Sequence, residues 1–165
     1  MCPPAFRRMT FVLDIGGEGR HAGAWNLNPS LCKTLEPGRG TPIPRLILGR
    51  ADAIPLPSQS VDRVIVERTP LTGAALCEIR RVTRPGGSVV LRHAAILGDD
   101  PHATAKRTFG TAWKHRKVNV AGVWLEETEF WISRDSVALA ATAADNQPPL
   151  GEARPPSARA ASALA

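Results

Sequence analysis

Five short apolar runs in this chain are each followed at once by polar side chains able to bind ions or move protons. Glu18, Arg20 and His21 come after Phe11-Val12-Leu13-Asp14-Ile15, while Asn26 and Asn28 close the run that starts at Trp25. Arg50 and Asp52 follow Arg45-Leu46-Ile47-Leu48, Glu67 and Arg68 end the run from Val61, and His93 ends the run from Ser88. Arginine forks grip carboxylates, phosphates and sulfates bidentately, so Arg20, Arg50 and Arg68 are the candidate ligands for an anionic small-molecule substrate. Glu18, Glu67, His21 and His93 are the candidate catalytic acids and bases, because burial among apolar strand ends moves a carboxyl or imidazole pKa toward neutrality. Taken singly, each reads as half of an Arg–Glu bridge; collected on one edge, they read as a ligand site. No group of His, Asp and Glu has metal-ligand spacing, and neither a Ser-centred nucleophile elbow nor a Walker-type loop is present.

These clusters can share an edge only if the runs are neighbouring parallel strands, since ligands of open α/β sheets bind beyond the carboxyl ends of the strands. The first run is nearly continuously apolar, as a strand buried on both faces must be. Gly16, Gly17 and Gly19 then supply backbone that can turn sharply and approach a ligand. Only nine residues separate Ile15 from Trp25, whereas a parallel crossover with its helix takes about 10 to 12. The helix expected there is missing or reduced to a turn. Leu31 to Pro44 reads as a short helix or turn followed by a loop. Thr69 is placed as an N-cap with Pro70 at the first helical position. Leu71, Ala75, Ile79 and Val82 form the buried helix face, Arg84-Pro85-Gly86-Gly87 stops it, and Ser88 to Arg92 is the fifth strand. His102 to Lys117 reads as a helix; Val123 to Leu125 and Glu129 to Ser133 read as a short hairpin around Glu126-Glu127.

The totals agree with one domain large enough to bury a core. The chain has 165 residues, 43% hydrophobic, 22% charged, with an excess of six basic charges, which fits a soluble globular protein. No apolar run reaches the length of a membrane span, and the first residues lack the apolar centre of a signal peptide, so the expectation is a cytoplasmic protein with no membrane contact. Cys2, Cys32 and Cys77 are odd in number and lack C-x-x-C spacing, against a disulfide framework or zinc. Lys106, Arg107, Lys114, Arg116 and Lys117 cluster around Phe109 and Trp113, and read as a solvated cationic helix face; no nucleic-acid signature accompanies them, and nucleic acid is not an expected partner. Residues 1–9 form an N-terminal segment, 10–135 the α/β domain, and 136–165 a C-terminal helix or flexible Ala/Pro/Arg-rich tail.

Residues 10 to 92 resemble class I S-adenosylmethionine-dependent methyltransferases. The likeness lies in Asp14-Ile15-Gly16, Trp25-Asn26-Leu27-Asn28-Pro29, Gly49-Arg50-Ala51-Asp52-Ala53-Ile54-Pro55-Leu56-Pro57, Val61-Asp62-Arg63-Val64 and, most strongly, Ala75 to Gly87. The hairpin region near 123 to 133 extends it more weakly. The resemblance implies an α/β fold: a reduced Rossmann-like methyltransferase fold, with a mostly parallel sheet and a short C-terminal antiparallel hairpin. It also implies cofactor contacts from Asp14, Gly16, Gly17, Gly19, Asn26 and Asp52. The family's glycine slots fall at Gly16, Glu18 and Arg20, so only the first is kept. Asn26 stands where the family uses an acid on the ribose hydroxyls, and Arg50 where an Asp meets the adenine amine; a guanidinium has only donors and cannot accept from that amine.

Three functions follow, in order of expectation. The first is a repurposed small-molecule biosynthetic enzyme that handles an anionic substrate by Glu/His acid-base chemistry, such as cyclisation or elimination, without ordinary S-adenosylmethionine use. The second is a working S-adenosylmethionine-dependent methyltransferase with an unusual pocket. The third is a non-catalytic subunit of a homo- or hetero-oligomer that covers the trimmed helix face. The cofactor is accordingly none or S-adenosylmethionine.

Overall fold

The computed structural model describes residues 10–94, 100–110 and 113–133. The segments 1–9 and 136–165 set apart above lie outside the described residues. Seven strands form one sheet: β1 (Val12–Ile15), β2 (Trp25–Asn28), β3 (Leu46–Leu48), β4 (Val61–Glu67), β5 (Thr83–His93), β6 (Trp113–Val120) and β7 (Val123–Trp131). Two helices accompany them, α1 (Gly73–Val82) between β4 and β5, and α2 (Pro101–Phe109) between β5 and β6. The strand order is β3-β2-β1-β4-β5-β7-β6. β1 to β5 pair in parallel, and β7 runs antiparallel to both β5 and β6. This is the Rossmann-like sheet with a C-terminal antiparallel hairpin that the sequence predicts.

Because side chains alternate along a strand, registration fixes two continuous rows on opposite faces. One row aligns Leu13, Val64, Val89 and Phe130, and the next aligns Ile15, Val66 and Leu91. All seven belong to the core, together with Leu76, Ile79 and Val82 of α1 and Ala105 and Phe109 of α2. Both helices therefore cover the same face. On the opposite face Glu67 of β4 is level with Arg92 of β5, which is level with Glu127 of β7, which is level with Arg116 of β6. Arg92 Nε is 2.6 Å from Glu127 Oε2, Arg116 Nε 2.5 Å from Glu127 Oε1, and Arg92 Nη1 3.4 Å from Glu67 Oε2. Farther back, Arg63 of β4 reaches across β5 to Glu129 of β7 at 3.3 Å. Among the described residues no helix lies between β1 and β2, β2 and β3, or β3 and β4. The short connections foreseen between Ile15 and Trp25 leave that face to charges.

Several local expectations are corrected. Thr69 does not cap α1: its hydroxyl donates to the Ile15 and Glu67 carbonyls at 3.2 and 3.3 Å, which ties it to the sheet edge. Thr72 takes the cap, accepting from Ala75 N at 3.2 Å. α1 ends at Val82 and β5 begins at once, because Gly86 N donates to Ile132 O at 2.8 Å and Ile132 N to Gly87 O at 3.0 Å. Leu31 to Pro44 holds no helix; Cys32 and Pro42 bridge across a loop instead. The predicted helix from His102 to Lys117 breaks at Gly110, whose φ is +94°. From Trp113 the chain is strand β6, paired residue by residue with β7, so the cationic cluster is divided between a helix and a strand. The predicted hairpin around Glu126-Glu127 is one unbroken strand, and the turn lies at Ala121-Gly122, both at positive φ as a two-residue hairpin turn requires. Charge at Glu127 suggested a turn, yet its carboxylate is buried between two arginines.

Cys32 and Cys77 are free and exposed. Among the described residues no helix is long and apolar enough to cross a membrane, and no group of three or more His, Cys, Asp or Glu could hold a metal ion.

Glu127→Ala leaves Arg92 deep in the sheet with one carboxylate fewer. Urea denaturation is expected to show a loss of about 3 kcal/mol, the low end for breaking a buried ion pair, because Arg116 is half exposed. Arg116→Ala should cost under about 1 kcal/mol, as for a surface pair.

Candidate functional site

The turn after β1 is held by the chain's own side chains. Asn26, buried on β2, accepts from Gly19 N at 3.0 Å through Oδ1 and donates from Nδ2 to Pro44 O at 2.7 Å. Asn28 donates to Gly17 O at 3.3 Å and accepts from Ser30 N at 2.9 Å. Glu18 accepts from Thr34 N, Thr34 Oγ1 and Leu35 N at 2.9, 2.6 and 3.1 Å, which pins the loop before β3. Burial pushes the Glu18 carboxyl upward, but these donors and the Arg20 charge outweigh it and hold it below the usual range. At Gly17 a Cβ would lie 2.4 Å from Asn26 Oδ1 and 2.5 Å from Asp14 Cγ. The glycine is required, then, by neighbouring side chains that fill the space beside it.

Beneath this turn two carboxyl groups are buried on adjacent strands. Glu67 lies 3.3 Å from Arg20 Nη1, 3.4 Å from Arg92 Nη1 and 3.6 Å from His21 Nε2. Asp14 lies 4.0 Å from the same His21 nitrogen, which makes no hydrogen bond. Their environments drive the two apart. Glu67 is pulled down to about 2, first by His21 and then, against the cost of burial, by Arg20 and Arg92. Burial pushes Asp14 up to about 6, with His21 and Arg20 opposing and Glu67 reinforcing the rise. One carboxyl is thus drawn down to about 2 beside another pushed up to about 6, a division of roles typical of acid–base sites.

Where the resemblance places S-adenosylmethionine, beyond β1, β2 and β3, there is a cleft of about 220 Å³ lined by Ile15, Gly16, Leu27, Arg50, Asp52 and Thr69 among others. That volume is below the roughly 300 Å³ at which small-molecule pockets begin. Arg50 meets Asp52 through two hydrogen bonds of 3.0 and 2.9 Å, so the residue in the adenine slot is already paired. Each end of the Asn26 amide is engaged by the chain's own backbone, at Gly19 N and Pro44 O. The residues present do not fit the cofactor in the family's usual pose.

A larger cavity, about 730 Å³, opens on the helix-covered side beyond β4 and β5. Its apolar lining includes Pro70, Leu71, Leu76, Val123 and Leu125, and its polar lining includes Arg68, His93, Asp100 and Thr104. Arg68 has φ +56°, a backbone conformation that costs a non-glycine residue energy and concentrates at functional sites. Its guanidinium donates to Val120 O at 3.1 Å. The other arginines at the strand ends, Arg20, Arg50 and Arg92, each meet a carboxylate; among the described residues Arg68 meets none. His93 Nε2 lies 2.8 Å from Thr69 O. A carbonyl only accepts, so this nitrogen carries a proton, and the one tautomer that fits has its lone pair on Nδ1. That atom is buried without a hydrogen-bond partner.

The structure therefore divides the residues singled out from sequence among four places. Asp14, Glu67, Arg20 and His21 meet under the glycine turn; Gly16, Arg50 and Asp52 line the small cleft; Arg68 and His93 line the large cavity. Glu18, Gly17, Gly19 and Asn26 build the turn itself. Arg20, Arg50 and Arg68 are partnered separately rather than on one anion. His102, His115 and Thr128 escaped the sequence reading, because nothing local marks three residues that only the packing of α2 on β6 and β7 brings together.

The sign of the Asp14 shift gives a test. Its folded pKa stands above the ordinary 3.8, so the stabilisation from burying the neutral acid is complete below pH 4 and is lost as pH rises through about 6. Asp14→Asn should match the wild type near pH 4 and exceed it by about 3 kcal/mol at pH 8 in urea denaturation. Glu67 runs the other way: its contribution is present above about pH 4.5 and is lost as pH falls toward 2.

The chain matches the methyltransferase domain family over residues 13–91. No curated protein matches it in sequence. Among solved structures, a SAM-dependent methyltransferase of Thermotoga maritima, described as a possible histamine N-methyltransferase, aligns with a TM-score of 0.57 at 14% identity, over 76% of this chain and 83% of that one. An arsenic(III) S-adenosylmethionine methyltransferase of Chlamydomonas reinhardtii aligns at 0.51 and 14% identity, over 76% and 64%. A 16S rRNA (adenine(1408)-N(1))-methyltransferase of Catenulisporales acidiphilia aligns at 0.50 and 13% identity, over 75% and 88%. At such identities the likeness is one of fold. Residues 13–91 carry the sequence pattern of the methyltransferase domain, and the described sheet has the fold of these methyltransferases.

Proposed function

We propose that the protein is a methyltransferase-fold enzyme that holds an anionic small molecule in the cavity beside Arg68 and transfers a proton through His93, without ordinary use of S-adenosylmethionine. The observation that carries the reading is that Arg68, which meets no carboxylate among the described residues, and the ring of His93 line the wall of one cavity. A guanidinium fork offers an anion two parallel donors, and Pro70, Leu71, Leu76 and Leu125 offer its apolar body a dry wall. His93 Nδ1 then accepts a proton from a carbon or heteroatom acid, as cyclisation and elimination require. Under this reading the Asp14 and Glu67 pair holds the turn beside the cavity and tunes its field.

A second reading, an S-adenosylmethionine-dependent methyltransferase, draws support from a different observation. The small cleft keeps the family's position and shares Pro70 with the large cavity, so a cofactor in one would adjoin an acceptor in the other. Calorimetry with S-adenosylmethionine and S-adenosylhomocysteine separates the two readings. No heat of binding from folded protein is expected; micromolar binding of either would move the conclusion to methyl transfer.

The anion site has its own test. In a thermal-shift panel of aromatic carboxylates and phosphate esters at low salt, at least one compound should raise the melting temperature of the wild type. Arg68→Gln should weaken its binding about ten- to a hundredfold, the range for losing a charged hydrogen bond. Equal binding by Arg68→Gln, or no binding by any anion, would overturn the assignment.

A further inference from the structure

Behind the cavity lies a set of polar groups that the proposed reaction leaves unused. His102, in the first turn of α2, is buried, and its Nδ1 is 2.8 Å from Thr128 Oγ1. His115, exposed on the edge strand β6, brings its own Nδ1 to 2.9 Å from the same oxygen. Thr128 is wholly buried on β7, level with Leu91 on one side and His115 on the other. The His102 ring meets those of His93 and His115 edge-on, with centroids 5.6 and 6.0 Å away. His102 Nε2 and His93 Nδ1 are both buried without hydrogen-bond partners.

A hydroxyl has one hydrogen to give. Shared between two imidazole nitrogens, it donates to one and accepts an N–H from the other, so the tautomers of His102 and His115 are tied together. We propose that His102, Thr128 and His115 form a proton relay between the cavity wall at His93 and solvent at β6. A proton taken up at His115 Nε2 drives the Nδ1 proton onto Thr128 Oγ1. The Thr128 hydroxyl proton passes to His102 Nδ1, and His102 releases the proton on Nε2 toward the His93 side. One proton enters, one leaves, and the two hydrogen bonds to Thr128 reverse polarity. Run backward, the same steps discharge a proton that His93 has taken from a substrate.

The groups facing His102 are His93 on β5, Asp100 at the start of α2, Glu126 on β7 and His115 on β6. Burial, reinforced by His93, keeps the His102 pKa below that of a free imidazole, with Asp100 and Glu126 opposing. At neutral pH the ring then rests neutral, with one nitrogen open to receive a proton. The role of His93 at the cavity rests on the proposed function; the coupling of His102 to His115 does not.

Long-range proton–nitrogen correlation spectra of the ¹⁵N-labelled full chain between pH 5 and 9 read the tautomer of each of the four histidines. With His115 protonated, Thr128 must donate to His102, which is then wholly the Nε2–H form. As His115 loses its charge, a share of Nδ1–H His102 should appear in the same transition. Thr128→Ser should keep this linked change; Thr128→Val should lose it, each histidine titrating alone. If Thr128→Val fails to fold, His115→Gln decides, since His102 should then keep one tautomer mixture throughout. An unchanged His102 tautomer across the His115 transition of the wild type overturns the relay, as does a linked change that survives Thr128→Val or His115→Gln. None of these readings needs a ligand, so failure to bind any anion at Arg68 would leave the relay intact.

Discussion

The ion-pair row Glu67–Arg92–Glu127–Arg116 is the interaction on which the rest of the structure depends. A parallel sheet of this strand order normally buries both faces under helices. With nine residues between β1 and β2, no helix can pack there. A bare apolar face would be an invitation to associate; a face of unpaired charges, buried as Glu67 and Glu127 are, would not be stable. Alternating arginine and glutamate across four strands meets both demands, because each carboxylate is level with a guanidinium in the neighbouring strand. Cross-strand charge pairs then do for this face what helix packing does for the other.

That row also organises the carboxyl edge of the sheet. Glu67 is its last member and the anchor for Arg20 and His21, so the turn after β1 is drawn down over the strand ends. Asn26 and Asn28 complete the closure from β2. The turn that gives relatives of this fold open backbone for a ligand is packed here from below and from the side. Room for a ligand remains on the other side of the edge, where Arg68 turns away from Glu67 and His93 away from Arg92. Arg68 and His93 each stand one residue beyond a member of the charged row, on the helix-covered side of the sheet.

The fold was legible because it rests on local signals. Apolar runs of four to seven residues and the spacing of Ala75, Ile79 and Val82 on α1 report on backbone conformation within a few residues. The errors fell where long-range pairing overrode those signals. Trp113 to Lys117 has helical character alone, but it is a strand because β7 stands ready to pair with it. Glu126-Glu127 looks like a turn until Arg92 and Arg116 are found on either side of Glu127. Thr69 is a good cap in isolation and is taken instead by the Ile15 carbonyl.

The sequence by itself determined which residues would stand at the carboxyl edge, because apolar runs and the polar side chains that end them are properties of the chain read in order. It also determined that a helix would be missing after β1, since nine residues cannot hold one and still cross to a parallel neighbour. Only the tertiary structure decided the partners. Whether Arg68 or Arg20 was left without a carboxylate, whether Asn26 faced a ligand or its own loop, and whether His102 would meet His115 through Thr128 all turned on distances between strands remote in sequence. Hydrogen bonds and ion pairs act over a few ångströms, and those few ångströms are set by the packed sheet.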